Sequence, residues 1–471
     1  MKQFRFKLPV YRLPRPSEFF ILYCALVFDS PTMLERSGLF TRLSIIFLFI
    51  LGITLYEWNT ITSELRDQLL HLEHDAPVVE TDVDPEAYRE VYSNSTADGK
   101  YFLVDFLDQK SINPNIIPHP YLKDTWIVTA QRHEVAAKDP RYFAELVCNA
   151  AFENGTLKCL EKSVNMPVAP TSSDNCTGDL AFFNFSNGPH DARVFYGPEV
   201  AYTVFGTQSK FTCFGQVVQD FGLLMGWENA DIPNTWFKEA TDLQRPPPYG
   251  AIEKNWFLFW DQDGQVYSHY DIWPKRVFGK LGVDGSVGKD LAPQAGLNDD
   301  KCMGKYMPRV GPDLESIHQA TNSLSVTICK RSDPACIPSQ TNTFIFAIFQ
   351  FKSFYRFHSN YQPYIMLFEQ NEPFEIHGIS RKPFWIHGRR KPNEREDRNA
   401  LTKENLKEGE GTDQAEMIYI TSMSWKAHGQ KYHGYIDDVV FLAFGIEDSQ
   451  SAGIDVVVGD LLMDIGLCND L

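Results

Sequence analysis

The densest group of residues able to do chemistry is GPHDARVF, Gly188 to Phe195, where Asp191 and Arg193 stand two apart at the head of an alternating apolar run. On an extended strand, positions i and i+2 face one side, so a carboxylate and a guanidinium are offered together. That pairing suits a sugar. The carboxylate can move a proton at an attacking or leaving oxygen, as glycosyl chemistry requires, while the guanidinium bonds hydroxyl or phosphate oxygens. The same two residues would also serve as a structural ion pair at a strand start.

A second group runs from Glu253 to Arg276, EKNWFLFWDQDGQVYSHYDIWPKR, and reads as a hairpin: apolar strand, Asp263-Gly264 turn, second strand. Asp261 and Asp263 have the spacing with which many nucleotide-sugar transferases hold Mn²⁺ or Mg²⁺, and a tight turn would use the same residues without metal. Lys254, His269, Lys275 and Arg276 gather positive charge in an acidic protein, with Asn255 beside them. Phosphate or diphosphate is the natural partner of such a cluster, and a solvated basic edge is the alternative.

His318, His358 and His377 recur with Asn, Tyr and Trp at expected strand ends, the chemistry of a carbohydrate site in which rings stack and imidazoles bond hydroxyls. No helical HxxxH pair or CxxC points to a metal centre. No GxSxG, P-loop or strand-borne GxGxxG is present, so serine hydrolase, kinase and dinucleotide readings find nothing to rest on.

The elements that must position these groups read as strands. Short apolar or alternating runs, among them TWIVTA, ARVFYG, AYTVFG, NWFLFW, QVYSHY, TFIFAIFQF, MIYITSMSW and DVVFLAFG, are separated by Gly, Pro, Asn and Asp. No amphipathic run of three helical turns interrupts them before the tail near Gly459 to Met463. The expectation is an all-β propeller over 98–471, with the charged, aromatic-free stretch 388–416 as a disordered surface loop.

The chain has 471 residues, and aromatic residues make up 14% of it, which favours strands and sugar-facing stacking surfaces. Lys and Arg number 44 against 61 Asp and Glu, a net charge of −17, so nucleic acid is not the expected partner. Residues 37–56 are apolar except for Arg42 and long enough to span a bilayer, with basic residues before and acidic ones after. The expectation is a type II anchor behind a cytosolic tail (1–36), followed by a stem (57–97), although a cleaved signal peptide would use some of the same features. Sequons at Asn94, Asn154, Asn175 and Asn184 all follow the span, as do eight of nine cysteines. That distribution suits glycosylation and disulfides in a secretory lumen, with local loops closed by Cys148 with Cys159 and Cys329 with Cys336.

The GxxDAR block at 188–193, the EKNW strand with its HxxxxPKR continuation, ISRKP at 379–383 and the closing LAFGIEDSxSAGID at 442–455 resemble, in order, the five-bladed β-propeller group that contains mannoside phosphorylases and β-mannosyltransferases. The luminal part also resembles fungal membrane-anchored glycosyltransferase-like proteins. The resemblance implies a five-bladed propeller with a central site, Asp191 as acid or base of an inverting reaction, Arg193 on sugar or phosphate, and Lys254 and His269 on phosphate. His190 stands where the group has Glu. With an anchor and stem, the resemblance further implies a Golgi membrane transferase moving mannose from GDP-mannose to a glycan acceptor. A glycoside hydrolase or phosphorylase on the same scaffold, or a glycan-binding propeller without catalysis, are the rivals.

Overall fold

Alternation of large apolar and small polar residues makes pleated strands wherever the run is long enough to be covered on one or both faces. A computed structural model describes residues 83–133, 143–169, 171–185, 188–227, 236–312, 314–355, 358–392 and 414–470. In chain order come β1 (Arg89–Val91) and β2 (Phe102–Asp105), then an antiparallel meander of β3 (Ser111–Pro118), β4 (Trp126–Arg132), β5 (Glu145–Glu153) and β6 (Thr156–Cys159), with the short β7 (Val164–Asn165) against β5. A second meander follows in β8 (His190–Tyr196), β9 (Ala201–Gln208), β10 (Phe214–Asp220) and β11 (Thr241–Asp242), and a third in β12 (Phe257–Trp260), β13 (Val266–Asp271) and β14 (Val277–Lys280).

In the fourth sheet, β15 (Glu315–Gln319) and β16 (Leu324–Thr327) both pair with the long β17 (Thr343–Tyr355), followed by β18 (His358–Glu369) and β19 (Ile376–Ser380). β20 (Phe384–Ile386) pairs in parallel with β1. The last sheet holds β21 (Ile418–Trp425), β23 (Val439–Ile446) and β24 (Gln450–Val457), while β22 (His433–Tyr435) and β25 (Ile465–Leu467) extend the fourth. β2 lies between β24 on one side and β6 on the other, so the first strands of the described chain join the last sheet to the first and the circuit is nearly closed.

The all-β expectation is met, and two of its details change. Residues 83–97 do not form a stem: β1 is paired, Ser93 Oγ donates to the buried Asp455 at 2.5 Å, and Asn94 N–H reaches the Asp455 carbonyl. The span 37–56, the first part of the expected stem (57–82) and the middle of the charged stretch, 393–413, lie outside the described residues; the ends of that stretch are joined by Arg389 Nε donating to the Glu416 carbonyl. A helix also interrupts the strands where none is read from the sequence, at α2 (Gly296–Tyr306), after the single turn α1 (Phe221–Leu224) and before α3 (Val458–Leu462). Two glycines and adjacent aspartates weaken the helical signal of α2, and tertiary links hold it: a Cys302–Cys468 disulfide and Asn298 Nδ2 on the Ile376 carbonyl. The expected Cys148–Cys159 and Cys329–Cys336 bridges are present, together with Cys176–Cys213.

Large side chains fill the space between sheets, including Phe257, Phe259, Phe278, Phe349 and Phe368 in one cluster and Val194, Phe205, Val217 and Phe221 in another. Between the innermost strands, polar side chains replace backbone pairing. Asn115 accepts from Val194 N–H and donates to the Ala192 carbonyl; Asn322 bonds both backbone groups of Met423; Gln350 bonds both of Ile420. Thr421 and Ser424 donate to the carbonyls of Pro114 and Ile116, and Ser323 to that of Leu258. Asn322→Ala strips a buried N–H and C=O of their partner, and urea unfolding should show a loss of about 2–6 kcal/mol, each orphaned group contributing about 1–3.

Candidate functional site

At one end of these inner strands the backbone leaves regular geometry in several sheets at once. The β3–β4 ladder is bulged between Ile112 and Asn115, and the β8–β9 ladder between His190 and Arg193. Asn113, Asp191 and Asn255 adopt φ of 56°, 49° and 62°, and Glu447 and Asp448, in the β23–β24 turn, 49° and 46°. Non-glycine residues resist this left-handed region, and such strain persists only where surrounding bonds enforce it.

Those bonds are specific at Asp191. Its carboxylate accepts from Asn113 Nδ2 at 2.7 Å, its own N–H donates to Gln131 Oε1 at 2.9 Å, and the next N–H, of Ala192, donates to Glu145 Oε1 at 3.0 Å. Gln131 and Glu145 are cross-strand partners on β4 and β5, so one neighbouring sheet takes both donors that the bulge releases. Asp191 remains exposed, while Arg193 is buried with Nη1 on the Asp191 carbonyl and Nε on the Ala320 carbonyl. The side chains of Asp191 and Arg193 therefore do not simply pair with each other, and the ion-pair alternative at this strand start gives way to a guanidinium that braces the backbone.

Around Asp191 the electrostatics define the rest of the group. Tyr419 is half-buried; burial raises its pKa first, the nearby Arg193 charge opposes this, and the carboxylate of Asp191 adds to the rise. Asp448 is held above the usual carboxylate range by desolvation at the rim, then by the negative charges of Asp191 and Glu447, with His133 and Lys352 acting against them. His318, bonded to Ser316 Oγ, is pushed down to about 4 by burial and then by Lys352 and Lys254. Beneath the strand, burial holds the Glu145 carboxyl well above its ordinary range, Ala192 N–H opposes this, and Asp191 reinforces it. Its Oε2 has no partner and no exposure, as befits a neutral acid.

Of the residues singled out by sequence, Asp191, Arg193, Lys254, Asn255 and His318 come together. His358 lies beside them through Glu447, at 3.1 Å. His269 does not join them. It is fully buried, stacked 4.7 Å from Phe257, with Nδ1 donating to Gln319 Oε1 and Nε2 accepting from Arg276 Nε. Burial and then the Arg276 charge drive its pKa well below the usual value, so it is a neutral core residue. Arg276 is buried with Asp299 at 2.8 Å, between the rings of Phe278 and Phe368. Lys275 alone of that pair is exposed, and the expected cationic cluster is split between core and solvent. His377 stacks 3.9 Å from Phe344 and faces Glu369, joined by neither contact to the Asp191 group.

Asp261 and Asp263 form the turn. Asp261 Oδ1 accepts from the N–H groups of Asp263 and Gln265, and Oδ2 from the Tyr267 hydroxyl. Among the sequons, Asn94 and Asn154 are exposed, the latter at the β5–β6 turn, whereas Asn184 Nδ2 donates to the Cys176 carbonyl and Asn175 Nδ2 to the carbonyls of Ser209 and Lys210. Sequence reasoning missed Asn113, Glu145, Lys352, Tyr419 and Asp448 as members of one group. The signal available was weak: Asp448 sits in the closing motif already noted, and the others carry no spacing that links them.

No protein-family model matches the chain, and no curated protein does. Solved structures similar to it include a glycosyl hydrolase from Bacteroides ovatus (10% identity, TM-score 0.39, covering 79% of this chain and 95% of that one) and an α-L-arabinofuranosidase from Lactobacillus brevis (10%, 0.36, 78% and 92%). An exo-1,5-α-L-arabinanase from a bovine ruminal metagenomic library gives 9%, 0.34, 74% and 92%. Likeness at this level assigns neither fold nor activity.

Glu145→Gln keeps an acceptor for Ala192 N–H and should fold as the parent does. Glu145→Leu orphans that donor and should lose about 1–3 kcal/mol in chemical denaturation. In chain secreted from eukaryotic cells, peptide mass spectrometry should find glycan on Asn94 and Asn154 and none on Asn184, whose amide is committed inside the fold.

Proposed function

We propose that this chain is a glycan-cleaving enzyme built on a five-bladed β-propeller. The successive runs of paired strands β3–β6, β8–β11, β12–β14, β15–β19 and β21 with β23 and β24, the last joined to the first through β2 in one nine-stranded sheet, support that architecture. The observation that carries the function is the pair of carboxylates, Asp191 and Asp448, that face one polar, aromatic mouth in different environments. Glycosidic cleavage needs one carboxyl group to give a proton and one to take it, and the surroundings that raise Asp448 give it the donor role.

In this reading Asp448, whose proton-bound form its surroundings favour, gives its proton to the leaving oxygen as the glycosidic C–O bond breaks. Asp191 takes a proton from the water whose oxygen bonds to the anomeric carbon from the opposite face. Configuration is inverted, atoms balance, and each carboxyl group returns to its starting state through solvent. Tyr419, Arg193 and Asn255 form the floor that orients the sugar, and Asn113 fixes the Asp191 carboxylate. Cleavage replaces transfer from GDP-mannose as the leading reading, because His269 and Arg276, half of the cation set expected for a diphosphate, are committed to the core.

A second reading has one specific support: Lys254 and Lys352 both act on His318 next to the site, a setting in which an anion would be held. Inorganic phosphate could then replace water as nucleophile. The four disulfides and the exposed sequons at Asn94 and Asn154 support residence in an oxidising secretory compartment, with 37–56 as the proposed Golgi membrane anchor.

Purified chain should release sugar from an oligosaccharide panel, and proton NMR of the first product should show the inverted anomer. Asp191→Asn and Asp448→Asn should each lower kcat by about 10²-fold or more with little change in melting temperature. Product appearing as free sugar in phosphate-free buffer supports hydrolysis, and sugar 1-phosphate formed only with added phosphate supports phosphorolysis. Turnover untouched by both substitutions would overturn the assignment of these carboxylates.

A further inference from the structure

The β23–β24 turn places Glu447 directly before Asp448, both left-handed, and Glu447 is bound more heavily than a turn requires. His358 Nε2, from the start of β18, lies 3.2 and 3.1 Å from its two carboxylate oxygens, Met417 N–H donates to Oε1 at 2.8 Å, and Arg390 Nη2 stands 3.7 Å away. His358 Nδ1 is in turn bonded to Gln414 Oε1 at 2.8 Å, and Arg390 Nη1 donates to the Gln414 carbonyl at 3.0 Å. Three separate stretches of chain thus converge on the carboxylate next to Asp448.

We propose that His358 and Glu447 are positioning residues that fix the turn and set the ionisation of Asp448, making its readiness as a proton donor depend on the charge of an imidazole one residue removed. The inference rests on the role given to Asp448 above. Glu447 is negative and adjacent, so it favours the protonated form of Asp448; a protonated His358 partly cancels that charge. The groups facing His358 are Glu447, Gln414 and Arg390, and those facing Asp448 are Asp191, Glu447, His133 and Lys352.

The linkage has a definite sign. The hydrogen bond to Glu447 holds His358 above its usual pKa, so the pair contributes stability that is fully present below the ordinary histidine value and is lost as pH rises through the elevated one. Glu447 is held below its usual range: burial opposes this, and the bond to His358 and Met417 N–H outweigh it. Its part is lost as pH falls through that depressed value. The clamp is therefore complete in mildly acid to neutral solution and opens on the alkaline side. When it opens, Glu447 keeps Met417 N–H and Arg390 but loses the imidazolium charge, and the proton-bound form of Asp448 is favoured more strongly.

The test is a carboxyl-carbon NMR titration of full chain labelled with ¹³Cγ aspartate, the Asp448 signal assigned by its loss in Asp448→Asn. His358→Gln should raise the Asp448 midpoint and Glu447→Gln should lower it. These opposite displacements are what a merely structural role would not give. Midpoints unmoved in both variants, or moved the same way, overturn the proposal. The alkaline limb of kcat/KM should follow, with Glu447→Gln about threefold less active than the parent at the pH where the parent is half-maximal. If the midpoints move oppositely and the alkaline limb stays fixed, the His358–Glu447 coupling stands and the assignment of Asp448 as the acid falls.

Discussion

Neighbouring sheets meet at their innermost strands without a shared backbone ladder, and every buried N–H and C=O there needs a partner. The molecule meets this constraint with amides and hydroxyls that imitate a strand edge. Asn322 and Gln350 each present one donor and one acceptor to a single residue of β21, and Asn115 does the same across β3 and β8. Hydrophobic packing holds the sheets together, and these bridges fix how far each inner strand slides against the next. A one-step slip would orphan several buried groups at once, so register at the centre is specified more strictly than apolar burial alone would require.

The site is a consequence of the same arrangement. Where inner strands begin, bridging stops, the ladders are bulged, and left-handed residues turn side chains into the mouth. Asp191 could not keep φ near 49° as a free turn residue without loss, yet Gln131 and Glu145 take the two N–H groups that its conformation exposes. Strain at Asp191 is thus sustained by a neighbouring sheet. Burial holds the Glu145 carboxyl well above its ordinary range, and its Oε2 has no partner at that depth.

Charge in this acidic chain is sorted by depth. Two buried cations are committed to carboxylates: Arg276 to Asp299, with the Phe374 carbonyl beside it, and Arg245 to both oxygens of Glu253. Removing one partner of such a pair is far more damaging than the pair is stabilising. The cations at the mouth, Lys254 and Lys352, have no such commitment to a buried carboxylate, and they depress His318 instead. Positive charge at the site therefore combines these two lysines with the buried Arg193, which is held on backbone carbonyls, while Arg245 and Arg276 hold theirs in the core.

Strand content, the two short-range disulfides and the Asp261-Gly264 turn were legible in the sequence because each depends on residues within about a dozen positions of one another. Asp191 was legible too, since its Arg193 neighbour and alternating strand lie in the same block. β3 was not, because Pro114 breaks the run; the proline sits within its bulge, where no ladder N–H is required. His269 and Arg276 read as members of a phosphate-binding cation cluster with Lys254 and Lys275, since strand alternation tells which side a residue faces and not what covers that side. Only the tertiary structure decided that His269 and Arg276 face the aromatic core, that Asn113, Asp191, Tyr419 and Asp448 come together, and that Glu145 lies buried beneath them. Local chain chemistry determines turns and strands, whereas the site is assembled from segments separated by up to hundreds of residues, and their meeting depends on how the sheets are bridged at the centre.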